Sequence, residues 1–262
     1  MSNGALQVAR TGLDAQNSKM RIIANNLANV NTTGFKRQRA SFETLVYQHN
    51  ITPGAPSDAQ NQYAIGLSLG TGVALQGTAR IETQGPLQTT GNALDIAIEG
   101  SGYFQVEMPD GRIGYTRAGN FSRTAEGTIV TAGGLPLIPQ IQIPEGTTGL
   151  SIGSDGTISA ALAGETEISE LGVIETASFV NPAGLKPVGD NLLVESEASG
   201  NPQIGAAGQD GRGRLRAGTL EQSNVNIVEE LVDMIETQRA YEVNSKMISA
   251  TDEMLQFVNQ QL

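Results

Sequence analysis

The chain has 262 residues, enough to bury a core without covalent staples, and no Cys, which excludes disulfides and thiolate metal sites. Its formal net charge of −11 argues against nucleic-acid binding, because phosphate contacts need a basic face. Glycine is abundant at 32 residues and aromatics are scarce at 4%, a composition that favours turns and short strands.

From the N-terminus, residues 4–30 read as a long helix. Leu6, Ala9, Leu13, Gln16, Met20, Ile23, Leu27 and Val30 recur in steps of three and four, a heptad seam that is polar only at Gln16. Asn25, Asn26 and Asn29 crowd its end although Asn is a mediocre helix former, which points to amides bonded outward to a neighbour. The helix is expected to stop before Gly34, which can adopt the left-handed conformation, with Phe35 folding back on the last turn. No stretch reaches the roughly 18 consecutive apolar residues of a membrane span. The amphipathic stretch that opens Met1-Ser2-Asn3-Gly4 lacks a signal-peptide pattern, so a cleaved leader is not expected. Two readings follow: a cytosolic protein, or one exported without cleavage of a leader.

Residues 35–70 read as an extended linker or insertion, with the Pro- and Gly-rich stretch 50–62 as a loop. From 71 to 219 the pattern becomes all-β, with topology open. Leu94, Ile96 and Ile98 alternate with polar and small residues, as in a half-buried strand. Tyr103 to Met108, then Pro109-Asp110-Gly111, then Arg112 to Thr116 reads as a hairpin, and Asp155-Gly156 repeats the turn chemistry. Further strands are expected at 127–132, 135–143, 171–180 and 191–196.

Residues 226–260 read as a second helix of roughly 50 Å at ~1.5 Å per residue. Ser223, Asn224 and Asn226 are candidate N-caps, and Asn226 has Glu229 three residues on, close to a capping box. One apolar stripe runs Ile227, Leu231, Met234, Tyr241, Ile248, Leu255, Leu262; a second runs Val228, Val232, Ile235, Val243, Met247, Ala250, Met254, Val258. Two stripes make a face wider than one partner helix covers, so a second partner is implied, either the middle domain or another subunit. Residues 1–45 carry six Lys/Arg against two Asp/Glu, and 220–262 carry two against eight, a charge split that suits helices packed on each other. The expected fold is therefore α+β. Residues 1–34 and 220–262 form a discontinuous helical domain, its helices paired as a coiled coil, and an all-β domain lies between them.

Catalytic chemistry finds little support. His49 is the only His, beside the Pro/Gly loop, and a Ser-His-Asp arrangement would rest on it alone. No run resembles an EF-hand loop, and Gly70-Thr71-Gly72 is not followed by the Lys of a phosphate loop. No cofactor is expected.

The segment Ile23 to Arg37 resembles the signature of the bacterial flagellar rod and hook axial proteins. Ser223 to Val232 and Arg239 to Asn244 resemble the other end of that family, and Gly100 to Val106, Tyr115 to Phe121 and Gly127 to Thr131 resemble its middle. Arg37 to Leu45, Pro53-Gly54-Ala55 and Ile65 to Val73 are similar to its distal-rod branch; Ala64-Ile65-Gly66 departs from the branch's more usual Pro-Ser-Gly. The resemblance implies a non-enzymatic subunit of a hollow helical drive shaft that crosses the periplasm in the flagellar basal body. Such a subunit is exported through the flagellar type III channel with no cleaved leader. The helices would form the inner tube, the β domain the outer layer, and residues 35–70 inter-subunit contacts. Implied partners are further copies of the chain, proximal rod proteins, hook protein, the rod cap and the surrounding P and L ring proteins, with no nucleic acid and no insertion into a membrane. The candidate assembly interface comprises Leu6, Leu13, Met20, Ile23, Asn25, Asn26, Leu27, Asn29, Gly34 and Phe35. To these the C-terminal helix adds Ile227, Leu231, Met234, Ile235, Tyr241, Met247, Ile248 and Leu255. A hook or proximal-rod member of the family is the alternative within it; a secreted β-rich ligand-binding protein is the alternative outside it.

Overall fold

A computed structural model describes residues 2–56, 63–162 and 168–261, with only the backbone described at residues 2, 3, 168, 255 and 258–261. The end of the loop expected at 50–62, Leu262, and the side chains of Leu255 and Val258 lie outside the described residues. Two helices bound the chain: α1, Ser2–Ala28, and α2, Ile227–Gln261. Both follow the Pro-free heptad stretches. At the start of α2 the Asn226 side-chain oxygen accepts the Val228 N–H at 3.1 Å, and Glu229 and Glu230 occupy the first turn, where the helix dipole favours negative charge. No described helix is long and apolar enough to cross a membrane.

The chain divides into two compact units. One is Met1–Ala28, Gln38–Ala79 and Asn226–Leu262; the other is Asn29–Arg37 and Arg80–Val225.

In the first unit α1 lies along α2, and Gln38–Thr44 pairs with Val73–Arg80 while Gln48–Ile51 pairs antiparallel with Leu67–Leu69. The strands are tied to α1 at Thr11, whose hydroxyl accepts the Val73 N–H at 3.3 Å. Gly72, at φ +122°, lies against that same Thr11 side chain, where a Cβ would collide.

The helix pairing corrects the coiled-coil expectation. A coiled coil needs apolar knobs from both helices in one buried seam. Here Leu6, Leu13, Met20 and Leu27 stay half-buried, and the α2 residues turned inward are mostly polar: Glu230 and Thr237 are buried, with Asp233 and Asn244 half-buried. Close approach occurs at Gly12, where an added Cβ would meet the Asn244 amide nitrogen at 3.0 Å, and at the Lys19–Asp233 ion pair of 3.7 Å. These contacts run α1 antiparallel to α2. The molecule therefore has two terminal helices in polar contact and a predominantly β middle, without a demonstrated knobs-into-holes seam.

The second unit is built on a sheet ordered Lys186–Gly189, Leu192–Val194, Ile113–Thr116, Tyr103–Glu107, Glu175–Ser178, Gln203–Ala206, with Leu137–Ile138 also pairing to Tyr103–Glu107. Every pairing with a described register is antiparallel. Alternation along Tyr103–Glu107 sends Phe104 and Val106 into one core, with Ile96, Ile98, Phe121, Ile129 and Leu137, and Tyr103 into a second, with Tyr115, Phe179 and Leu193. Both cores are locked by edge-to-face rings, Phe104–Phe121 at 5.1 Å and Tyr115–Phe179 at 4.8 Å between centroids. The strands Thr147–Ile152, Thr157–Leu162 and Ile168–Val173 form a separate antiparallel meander. The two Asp-Gly turns close as expected. Asp110 accepts the Arg112 N–H at 3.1 Å, and Asp155 accepts the Thr157 N–H at 3.2 Å. The Arg112 guanidinium, donating at 2.6 Å, and then that backbone bond hold the Asp110 carboxyl below the usual carboxylate range, and the Thr157 N–H and hydroxyl do the same for Asp155.

Candidate functional site

In the first unit, the feature left without a described cover is the outer face of α2. Ile227, Leu231, Ile235, Tyr241 and Met247 are exposed, and so are Val228, Val232, Val243, Met254 and Phe257. Val228 reaches 70% exposure and Phe257 63%, values that surface helices reserve for polar side chains. Met234 and Ile248 are half-buried at the margin. Contiguous apolar surface of this kind marks an interaction site.

The inner side of the helix pair is polar. On α1, Ile23 and Asn26 are buried and Asn25 is exposed. The Asn26 amide donates to the Gln38 carbonyl at 2.9 Å and to both Glu230 carboxylate oxygens at 3.2 Å. Its oxygen accepts the Gln38 N–H at 2.9 Å.

The second unit carries a buried ionic clasp that no local pattern announces. It gathers Asn29–Arg37 and Thr219–Val225, two stretches far apart in the chain. Lys36 donates to Glu221 at 2.6 Å and to the Thr83 carbonyl at 2.8 Å. The same Glu221 oxygen accepts the Gly85 N–H at 3.0 Å, and Arg117 approaches the other at 3.7 Å. Burial lowers the Lys36 ammonium below the ordinary lysine value, while Glu221 pulls it back up. Asn224 completes the clasp: its oxygen accepts the Arg37 N–H at 2.7 Å and its nitrogen donates to the Ile81 and Thr83 carbonyls at 2.8 and 2.9 Å. Gly34 takes φ +69° as expected and donates to the Glu221 carbonyl at 2.8 Å. A Cβ on Gly34 would stand 2.6 Å from the Arg117 carbonyl carbon, so glycine is required on both counts. Phe35 and Asn29 are half-buried in this unit. Charge asymmetry between the chain ends was the one clue to the clasp, and it does not name Lys36 or Glu221.

His49 is exposed and bonds to Ser68 at 2.8 Å in the surface hairpin. What is built is a β body with clasped chain ends and a helix pair with an uncovered apolar face. Comparison with known proteins places that architecture. Residues 6–36 match the family described as flagella basal body rod protein, 97–160 the flagellar hook protein FlgE/F/G D1 domain, and 216–261 the flagellar basal body rod FlgEFG protein C-terminal family. These define the class as the axial rod and hook proteins of the bacterial flagellum.

Within that class the whole chain is similar to proteins named flagellar basal-body rod protein FlgG. It is 50% identical to that of Buchnera aphidicola subsp. Acyrthosiphon pisum over 98% of both chains, and 44% identical to that of Agrobacterium fabrum over 98% of this chain and 99% of the relative. It is 39% identical to that of Bacillus subtilis over 94% of both. The chain belongs to the FlgG family of flagellar basal-body rod proteins. It is a structural subunit of the distal rod and not an enzyme.

Proposed function

We propose that the chain polymerises into a hollow helical shaft through the apolar stripe of α2, which is covered by the α1 and α2 helices of neighbouring copies. The stripe itself carries this reading: Val228, Val232, Ile235, Val243, Met247 and Met254 are exposed on a helix whose opposite side is already engaged with α1. Burying one such side chain is worth about 1.5–3 kcal/mol. Six of them are of the size needed to offset the roughly 4–15 kcal/mol of lost freedom on association. In this shaft the helices line the central export channel, and residues 35–70 add contacts between copies. The exposed Tyr47, Tyr63, Ile65, Leu67 and Leu69 support that role for the insertion. The remaining candidate contacts, Leu6, Leu13, Met20, Leu27 and Asn25, lie on half-buried or exposed parts of α1 and serve the same packing. The shaft sits in the periplasm and joins proximal rod proteins at one end and hook protein at the other. A cap holds its growing tip, and the P and L ring proteins surround it.

The test is electron microscopy of concentrated protein carrying Val232→Lys and Ile235→Lys. The unsubstituted chain is expected to form rods. The double variant is expected to stay monomeric, with the unfolding midpoint of the β-rich unit unchanged. Rods of normal appearance from the variant would show that the stripe is not the contact.

A further inference from the structure

An apolar stripe at heptad spacing recognises a partner but discriminates poorly between registers. A slide of one heptad, about 10 Å along a helix, presents nearly the same surface. The seam between α1 and α2 is of another kind. Asn26 is 1% exposed and Glu230 3%, and they meet in a setting that permits little adjustment. The Asn26 carboxamide behaves toward Gln38 as a neighbouring strand would: it donates to the backbone carbonyl and accepts the backbone N–H, each at 2.9 Å. Its nitrogen also faces the Glu230 carboxylate at 3.2 Å. One side chain thereby ties together the end of α1, the first strand after it, and the first turn of α2.

We infer that Asn26 is the register key of the helical module: its buried amide sets which turn of α2 lies against α1, while the apolar stripe is left free for other contacts. A slip by one heptad toward the C-terminus of α2 brings Thr237 to the place of Glu230. The Thr237 side chain is two carbons shorter than that of Glu230, and its hydroxyl is held against its own helix by the bond it donates to the Asp233 carbonyl at 2.6 Å, so its oxygen falls short of the amide. Asn26 then keeps a buried N–H without its acceptor, a loss of the kind that lets a single polar residue select a register. Along the seam, Lys19–Asp233 at 3.7 Å and Gly12 against Asn244 are consistent with the same register. The key is an intrachain device, so it stands whether or not the stripe proves to be the polymer contact.

The chain has no Cys, so engineered pairs report register cleanly. Three full-length variants each combine Gly12→Cys with Asn244→Cys, Thr237→Cys or Thr251→Cys, reporting the observed register and heptad slips in either direction. Each is oxidised, and the intramolecular disulfide is separated from dimers by gel mobility. With Asn26 intact, the 12–244 product should exceed the other two at least tenfold. Asn26→Ala is expected to bring the three yields within about threefold of one another. Glu230→Gln, which keeps an acceptor, should retain the selectivity, and Glu230→Met should lose it. Tenfold selectivity persisting in Asn26→Ala overturns the proposal. If Asn26→Ala instead abolishes all three products, Glu230→Met decides: unchanged selectivity in that variant overturns the proposal equally.

Discussion

Two buried tyrosines and one buried lysine give the β-rich unit an alkaline signature. Burial, with Glu195 nearby, pushes the Tyr115 hydroxyl up to about 12 from 10.0, and burial together with Glu82 raises Tyr103 further. Burial moves Lys36 the other way, below its ordinary 10.5, against the pull of Glu221. The phenols are raised on folding, so the stability they contribute is present below pH 10 and is lost as pH climbs through the folded values. Lysine lowered on folding means that the unfolded chain binds the extra proton, so its contribution rises with pH until the ordinary value of 10.5 is passed. Above that value only the falling phenol contribution remains. Tyr115→Phe removes one such contribution with little change of shape. Relative to the unsubstituted protein, its urea midpoint is expected to be higher at pH 11 than the comparison at pH 8 would suggest. An equal difference at both values of pH would mean that Tyr115 does not titrate with folding.

At the scale of elements, periodicity and punctuation made much of the fold legible. The steps of three and four from Leu6 to Val30, the absence of Pro, and Asn226 ahead of Glu229 located both helices to within a few residues. Asp110-Gly111 and Asp155-Gly156 located two turns because aspartate bonds its own backbone two residues on. The partner of each helix face was not legible. A heptad of apolar residues states that a face wants cover and is silent about who covers it, so the spacing alone points the seam of α1 to a coiled coil with α2. In the structure the polar positions of α2 meet α1, and Gly12 permits the approach that leucines would hinder. Gly12→Leu is therefore expected to push the helices apart against Asn244, even though leucine is the better helix former by nearly 1 kcal/mol. Adding Asn244→Ala should restore much of the loss. The check is a double-mutant cycle on the unfolding free energy of the helical module; additive effects would place the two residues out of contact.

At the scale of the whole molecule, the clasp decides where the β-rich unit begins and ends. Lys36 and Glu221 are 185 positions apart, a separation at which sequence offers only opposite charge as a hint. Yet Glu221 serves Lys36, the Gly85 N–H and Arg117 at once, and it is 1% exposed. Breaking a buried pair by removing one partner costs about 3–5 kcal/mol, because the other charge is left buried and uncompensated. A fragment spanning residues 29–225 keeps the entire clasp and lacks both helices. It is expected to unfold in one transition at the midpoint of the β-rich unit of the full chain, and to sediment as a monomer because the α2 stripe is gone. A fragment spanning 38–218 retains every buried residue of the Phe104 core but loses Lys36, Glu221 and Asn224, leaving the buried Arg117 guanidinium without its carboxylate counter-charge and the Gly85 N–H without its acceptor. Its midpoint should fall by an amount corresponding to several kcal/mol. Equal midpoints for the two fragments would mean that the clasp contributes nothing to the unit. They would also mean that the chain ends are bound there for some purpose other than stability.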